Sequence, residues 1–168
     1  MASKHHIHIF TDGSVNSKLK VGYGAYIVVD DLNQSVDESP DAVSLRGFNH
    51  TSSTKLELQT VLWAINEVVA SEGREVSFRV YTDCQNIIGL PGRRERLEGN
   101  DYYSSKNKRL NNYELYQEFY QLTSNIQCEF IKVAGHKASR QKDSIDKLFE
   151  LVDCGSRKAL RENLALIT

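Results

Sequence analysis

Apolar and polar residues alternate along the first part of the chain, which is the pattern of half-buried β-strands. Residues 5–12 show this alternation, and the strand is expected to end at Asp12-Gly13-Ser14. Residues 22–30 are rich in β-branched and aromatic residues, and residues 42–49 form a weaker run of the same kind. The three segments together predict an antiparallel meander.

The period then changes to that of a helix, with apolar residues at Leu58, Leu62, Ile65 and Val69. Hydroxyl residues at 52–54 can cap the start of this helix, and Gly73 can end it. Residues 76–81 form the next predicted strand. Because a long helix precedes it, this strand is expected to lie parallel to the first one through a right-handed crossover.

The second half of the chain predicts three further helices and a last strand. Residues 84–90 suggest a short helix stopped by Pro91-Gly92, and residues 93–111 a polar surface excursion. The remaining segments are a helix over 112–123, a strand over 127–133 and a helix from 143 onward. The predicted order is β-β-β-α-β-α-α-β-α, which is an α/β fold.

Length and composition predict one cytoplasmic domain over residues 1–168. The chain is 40% hydrophobic, has two prolines and contains no linker-like stretch, so we expect one core. We find no signal-peptide pattern and no apolar run of the roughly 20 residues that a membrane-spanning helix needs. The three cysteines form no CxxC pair, as expected for reduced thiols. A net charge of -1 argues against coating nucleic acid nonspecifically.

Three acidic residues are expected to meet at one edge of the sheet. Asp12 and Asp83 each follow a predicted strand, and the carboxyl ends of adjacent parallel strands come together. Glu57 interrupts an apolar stretch near the start of the connecting helix, so it can point at the same edge. Clustered carboxylates repel one another, and hard cations such as Mg²⁺ or Mn²⁺ are their natural counter-charge.

The chain resembles type-one ribonuclease H in motifs that cover nearly its whole length. These motifs are Ile-Phe-Thr-Asp-Gly-Ser at 9–14, Gly-Tyr-Gly-Ala at 22–25, Leu-Glu-Leu at 56–58, Tyr-Thr-Asp at 81–83, Lys-Val-Ala-Gly-His at 132–136 and Asp-Cys-Gly-Ser-Arg-Lys-Ala at 153–159. The resemblance implies a ribonuclease H-like fold, with a five-stranded mixed sheet and helices on both faces. It also implies a monomeric endoribonuclease that cuts the RNA strand of RNA/DNA hybrids by a two-metal-ion mechanism.

The resemblance assigns catalytic roles to named residues. Asp12, Glu57 and Asp83 would ligate two Mg²⁺ ions, or Mn²⁺, together with a fourth carboxylate from the last helix. His136 would assist proton movement and product release. Asp146 and Asp153 both lie on that helix, about 10.5 Å apart in rise, so only one can belong to the cluster. Asp153 is chosen because Ser156 and Arg157 follow it in the family's Asp-x-x-small-Arg pattern.

Residues near the same edge are expected to contact the hybrid. By resemblance, hybrid contacts come from Gly13, Ser14, Asn16, Ser53, Thr54 and Gln85. Basic residues in 93–109 and 132–142 can follow phosphates, although the first group can equally be a solvated surface. Two other functions are considered: a related nuclease acting on DNA junctions or ends, and a hybrid-binding module without catalysis. Retention of the acids argues against the second of these.

Overall fold

A computed structural model describes residues 5–33, 42–134 and 143–167, the last three of these by backbone alone. In these segments the strands and helices follow the predicted order: β1 (His6–Asn16), β2 (Val21–Val29), β3 (Ser44–Asn49), α1 (Ser53–Glu72), β4 (Ser77–Thr82), α2 (Gln85–Gly99), α3 (Tyr113–Thr123), β5 (Gln127–Lys132) and α4 (Ser144–Ile167).

The five strands form one mixed sheet in the order β3-β2-β1-β4-β5. β1 pairs antiparallel with β2, and β2 with β3, as the meander predicted. β4 lies parallel to β1 on its other side, and β5 lies parallel to β4. The carboxyl ends of β1, β4 and β5 therefore share one edge of the sheet, which is called the carboxyl edge below.

Helices cover both faces of the sheet, as expected. On one face α1, α2 and α3 bury a cluster that includes Ile7, Ile9, Phe78 and Phe119. On the other face α4 packs over a second cluster that includes Phe10, Tyr81 and Val152. Because side chains alternate across a strand, successive residues of β1 pack into one cluster and then the other.

α1 begins and ends where the sequence predicted, and it lies unusually close to the sheet. The Ser52 hydroxyl accepts a hydrogen bond from the Lys55 amide at 3.4 Å, and Gly73 ends the helix with φ 85°. A methyl group at Gly24 of β2 would collide with the side chain of Thr60. The absent side chain thus lets α1 approach β2, which places the first turns of the helix at the carboxyl edge.

The expectation that the first strand ends at Asp12-Gly13-Ser14 is wrong. β1 continues to Asn16, and Asp12 pairs with Ala25 of β2. Pairing with β4 stops two residues earlier, at Phe10 opposite Tyr81. At Asp12, β1 is therefore hydrogen-bonded to β2 on one side and has no strand of the described segments paired on the other. The antiparallel pairing with β2 keeps the chain extended there.

The expectation of a short helix stopped by Pro91-Gly92 is also wrong. α2 runs through Pro91 to Gly99, so the excursion is helical in its first part. Leu90 before the proline and Leu97 after it are both buried in the same cluster. Burial on both sides outweighs the missing backbone donor, and the Arg93 guanidinium donates to the Asn86 carbonyl oxygen at 2.9 Å.

Several basic side chains of the 93–109 group are engaged within the protein. Arg94 bonds Glu98 and the Ser124 hydroxyl, and Arg109 bonds Asp101 while lying 4.2 Å from the centre of the Tyr113 ring. Together with Arg93, they stabilise the packing of α2 and the following turns. Arg96, Lys106 and Lys108 are exposed.

Two further predictions concern the segment around His136 and membrane-spanning helices. Residues 135–142, which include His136 and most of the second basic group, lie outside the described residues. Among the described helices, none has the length and apolar character required to span a bilayer.

Candidate metal centre

Three carboxylates from three elements converge at the carboxyl edge. Asp12 comes from β1, Glu57 from the second turn of α1, and Asp83 from the junction between β4 and α2. One oxygen of each lies within 4.8 Å of the others. Asp12 is buried, Glu57 is half-buried and Asp83 is exposed, so the cluster opens to solvent on the side of Asp83.

The backbone around Asp83 is held by local hydrogen bonds. The buried Thr82 hydroxyl accepts from the Cys84 amide at 3.1 Å, which closes the turn that leads into α2. The Thr82 carbonyl accepts from the Val133 amide at 2.9 Å, which extends the β4 and β5 pairing to the same level. Sequence reasoning missed Thr82, although a hydroxyl residue directly before a strand-end aspartate is a recognisable turn signal.

Burial and mutual repulsion dominate the electrostatics of the cluster. Burial raises the pKa of Asp12 to about 9, and the charges of Glu57 and Asp83 raise it in the same direction. Burial likewise raises the pKa of Glu57 to about 8, with Asp83 as the next cause. A backbone hydrogen bond from Gly13 lowers both pKa values but does not compensate. Among the described residues, no cation is one of the main causes that act on the pKa of Asp12 or Glu57.

The cluster fits a hard divalent cation. Glu57 Oε2 is buried and has no hydrogen-bond partner among the described residues. Such an orphaned carboxylate oxygen is costly in a protein interior unless a cation coordinates it. The donors are oxygens only, which suits Mg²⁺ or Mn²⁺ better than softer metals.

The two candidates for the fourth carboxylate occupy different environments. Burial is the largest cause of the raised pKa of both Asp12 and Glu57, and the charge of Asp153 raises both pKa values as a smaller cause. Its Oδ2 accepts from the Arg157 guanidinium at 2.8 Å. Neither candidate belongs to the compact group of three oxygens that the described residues form.

Asp146 has a local role at the start of α4. Its backbone amide donates to Asp143 Oδ1 at 2.9 Å, and its Oδ2 accepts from the Asp143 amide at 3.2 Å. This reciprocal pair is a capping box, with Asp143 at the cap position. The side chain of Asp146, which is buried, therefore takes part in capping α4, and the choice between Asp146 and Asp153 stays a prediction.

The residues expected to contact substrate lie on β1 and at the starts of α1 and α2. Ser53 and Thr54 are exposed in the first turn of α1, and Gln85 is exposed at the start of α2. Gly13 faces α1, where an added methyl would come 3.1 Å from Leu56 and 3.5 Å from Glu57 Oε1. Ser14 is half-buried in β1, and Asn16 Oδ1 accepts from the Leu19 amide at 3.0 Å, which shapes the turn to β2. Their contacts with substrate stay predictions.

Comparison with known proteins agrees with this architecture. The family model described as RNase H matches residues 4–151. A ribonuclease H of Treponema denticola is 24% identical over 154 residues, covering 84% of this chain and 93% of that protein.

Two solved structures are similar in fold. The crystal structure of LC9-RNase H1, a type 1 RNase H with the type 2 active-site motif, has a TM-score of 0.66 at 16% identity and covers 95% of this chain and 74% of that one. A foamy viral protease-reverse transcriptase in complex with dsDNA has a TM-score of 0.62 at 9% identity, with coverage of 92% and 94%. At these identities the likeness concerns the fold.

Proposed function

Because the chain belongs to the RNase H family and is a ribonuclease H enzyme, we propose that it hydrolyses the RNA strand of RNA/DNA hybrids by a two-metal-ion mechanism. The observation that carries this proposal is the group of three carboxylate oxygens within 4.8 Å at the carboxyl edge. In open α/β sheets, ligands commonly bind just outside the carboxyl ends of the strands, which is where this group lies.

Asp12, Glu57 and Asp83 would hold Mg²⁺ ions, with Mn²⁺ as an alternative. Two such ions, when bound, activate the attacking water and stabilise the leaving oxygen of a phosphodiester. The raised pKa values of Asp12 and Glu57 support this role, because a bound cation would keep both carboxyls ionised at neutral pH. Asp153, whose charge acts on the same two groups, would be the fourth carboxylate.

The remaining catalytic and substrate roles follow the family resemblance. His136 would assist proton movement and product release from the Gly-His segment. Backbone or 2'-hydroxyl contacts would come from Gly13, Ser14, Asn16, Ser53, Thr54 and Gln85. Hydroxyl and amide groups suit both kinds of contact. The exposure of Ser53, Thr54 and Gln85 leaves them accessible to a duplex.

We also propose a domain organisation, a cellular location and an oligomeric state for the enzyme. The two core clusters pack on opposite faces of one sheet, which supports a single catalytic domain over residues 1–168. All three cysteines are free thiols, which supports a cytoplasmic location. By the family resemblance, the enzyme would act as a monomer.

A nuclease assay tests the proposal. The intact chain should cut the RNA strand of a labelled hybrid in Mg²⁺ and leave duplex RNA and duplex DNA intact, and EDTA should stop the reaction. Equal cutting of all three duplexes, or cutting in EDTA, would contradict it. Preferential cutting of DNA junctions or ends would favour the related nuclease instead, and hybrid binding without cutting would favour the non-catalytic module.

A further inference from the structure

Lys132 lies beside the acidic cluster, although the mechanism above gives it no role. It ends β5 and pairs in register with Thr82 of β4, the residue before Asp83. Neighbouring strands lie about 4.8 Å apart, so the Lys132 backbone reaches the carboxyl edge one strand away from Asp83. Its side chain is exposed.

The ammonium group of Lys132 is held by a neutral partner. Lys132 Nζ donates to Gln85 Oε1 at 2.7 Å. In contrast, the Arg157 guanidinium on the α4 side is paired with the carboxylate of Asp153. The amide of Gln85 fixes the position of the Lys132 charge without neutralising it, so this cation stays available to an anion.

The pair offers two adjacent hydrogen-bond donor groups. An ammonium has three N–H donors, and the bond to Gln85 uses one of them. Because Gln85 Oε1 accepts from Lys132, its amide NH₂ is directed away and can donate to a second atom. Two adjacent donor groups, one of them charged, match the oxygens of a phosphodiester.

We propose that Lys132 and Gln85 form a paired subsite that binds one backbone phosphate of the hybrid on the β5 side of the metal centre. This inference rests on the proposed function and adds to it a charged contact that positions the duplex. A fixed cation beside the metal centre supplies local attraction for a polyanion in a chain whose net charge is only -1.

The test measures binding of a fluorescent RNA/DNA hybrid in an Asp12→Asn background, which prevents cutting. Lys132→Met should weaken binding about 5- to 10-fold and lower the salt slope of log Kd by about one, as loss of one phosphate contact does. Lys132→Arg should restore most of the affinity. Arg74→Met removes an exposed charge between α1 and β4 at the opposite edge, and should leave the affinity within about two-fold.

Gln85→Glu separates a binding role from a structural one. The new carboxylate would form an ion pair with Lys132 and neutralise its charge. Binding should weaken about as much as in Lys132→Met, while the midpoint of urea denaturation stays unchanged or rises, as expected for a surface ion pair. A merely structural Gln85–Lys132 contact would instead lower the midpoint of urea denaturation in Lys132→Met and leave its affinity for the hybrid unchanged.

Two negative outcomes are distinguishable. If the wild-type chain cuts hybrids but Lys132→Met and Gln85→Glu bind them with unchanged affinity and salt slope, the subsite is wrong and the proposed function stands. If the wild-type chain neither binds nor cuts hybrids, the proposed function fails, and the subsite fails with it.

Discussion

Tyr81 stacks on Phe10, with ring centroids 4.3 Å apart and ring planes within 6° of parallel. Both rings are buried, and each lies two residues before an aspartate of the metal centre, Asp83 and Asp12 respectively. The Tyr81 hydroxyl and His8 Nδ1 lie at hydrogen-bond distance, 2.9 Å. The stacked pair therefore joins β1 and β4 directly beneath the two aspartates.

Tyr81→Ala should lower the free energy of unfolding by about 3–5 kcal/mol, because it removes a buried ring and leaves a cavity beside Phe10. Tyr81→Phe keeps the stack and leaves His8 without its partner, so it should cost about 1–2 kcal/mol. Urea denaturation measures both. Equal losses in the two variants would show that the hydroxyl, and not the ring, dominates.

Asp12→Asn should abolish cleavage and stabilise the metal-free protein. Because the folded-state pKa of Asp12 is raised from 3.8 to about 9, the folded state binds more protons than the unfolded state between these pH values. The stability of the metal-free wild type should therefore fall as pH rises through that range.

At pH 8, Asp12→Asn should gain on the order of 1–2 kcal/mol without metal, as relief of active-site strain often does. It should also lose the increase in Tm that Mg²⁺ gives the wild type by mass action. Thermal melts with Mg²⁺ and with EDTA measure both effects. An unchanged Mg²⁺ effect in the variant would mean that the ion binds elsewhere.

His8 should make the fold sensitive to acid. Burial lowers its pKa below 6.5, and the charges of Arg79 and His6 act in the same direction while Asp31 opposes them. The unfolded state therefore takes up the proton first, and stability should fall as pH drops below about 6.5. His8→Gln should flatten this part of the urea-midpoint profile between pH 7.5 and 5. His50→Asn, at an exposed position that is not among the groups acting on His8, is the matched control and should follow the wild type.

The pair Asp153→Asn and Asp146→Asn decides the fourth carboxylate. Asp153→Asn should abolish Mg²⁺-dependent cleavage with little change in stability, if the carboxylate whose charge acts on Asp12 and Glu57 is the fourth ligand. Asp146→Asn weakens the capping box and should cost about 1 kcal/mol of stability while cleavage is retained. Loss of cleavage in Asp146→Asn alone would reverse the assignment.

Gly24→Ala should disturb the metal centre from a distance. The added methyl collides with Thr60, so α1 must move away from β2 and carry Glu57 with it. We expect a loss of about 1–3 kcal/mol, as for other overpacked sites, together with weaker Mg²⁺ binding. Gly92→Ala has open space around the new methyl and should be neutral or stabilising by up to about 1 kcal/mol. Similar losses in both variants would exclude the collision as the cause.

The local sequence predicted most of the helices and strands, because the spacing of apolar residues and the turn-forming residues act over short distances along the chain. The helical repeat from Leu58 to Val69, with Ser52 before it and Gly73 after it, set the bounds of α1 almost to the residue. Pro91 misled the prediction, since its local cost is visible in the sequence whereas the burial of Leu90 and Leu97 is not. Asp12-Gly13-Ser14 misled it in the same way, because pairing with β2 overrides the turn tendency of these residues.

The sequence by itself determined which chemical groups are present: three acidic residues near the ends of two strands and the start of the helix between them. Because the two strands pair in parallel, these residues share one edge of the sheet. Only the tertiary structure decided their environment. The burial of Asp12, the orphaned oxygen of Glu57 and the bond between Lys132 and Gln85 depend on the distance between α1, β1 and β5. That distance is set by side-chain packing between segments far apart in the chain, which no local pattern encodes.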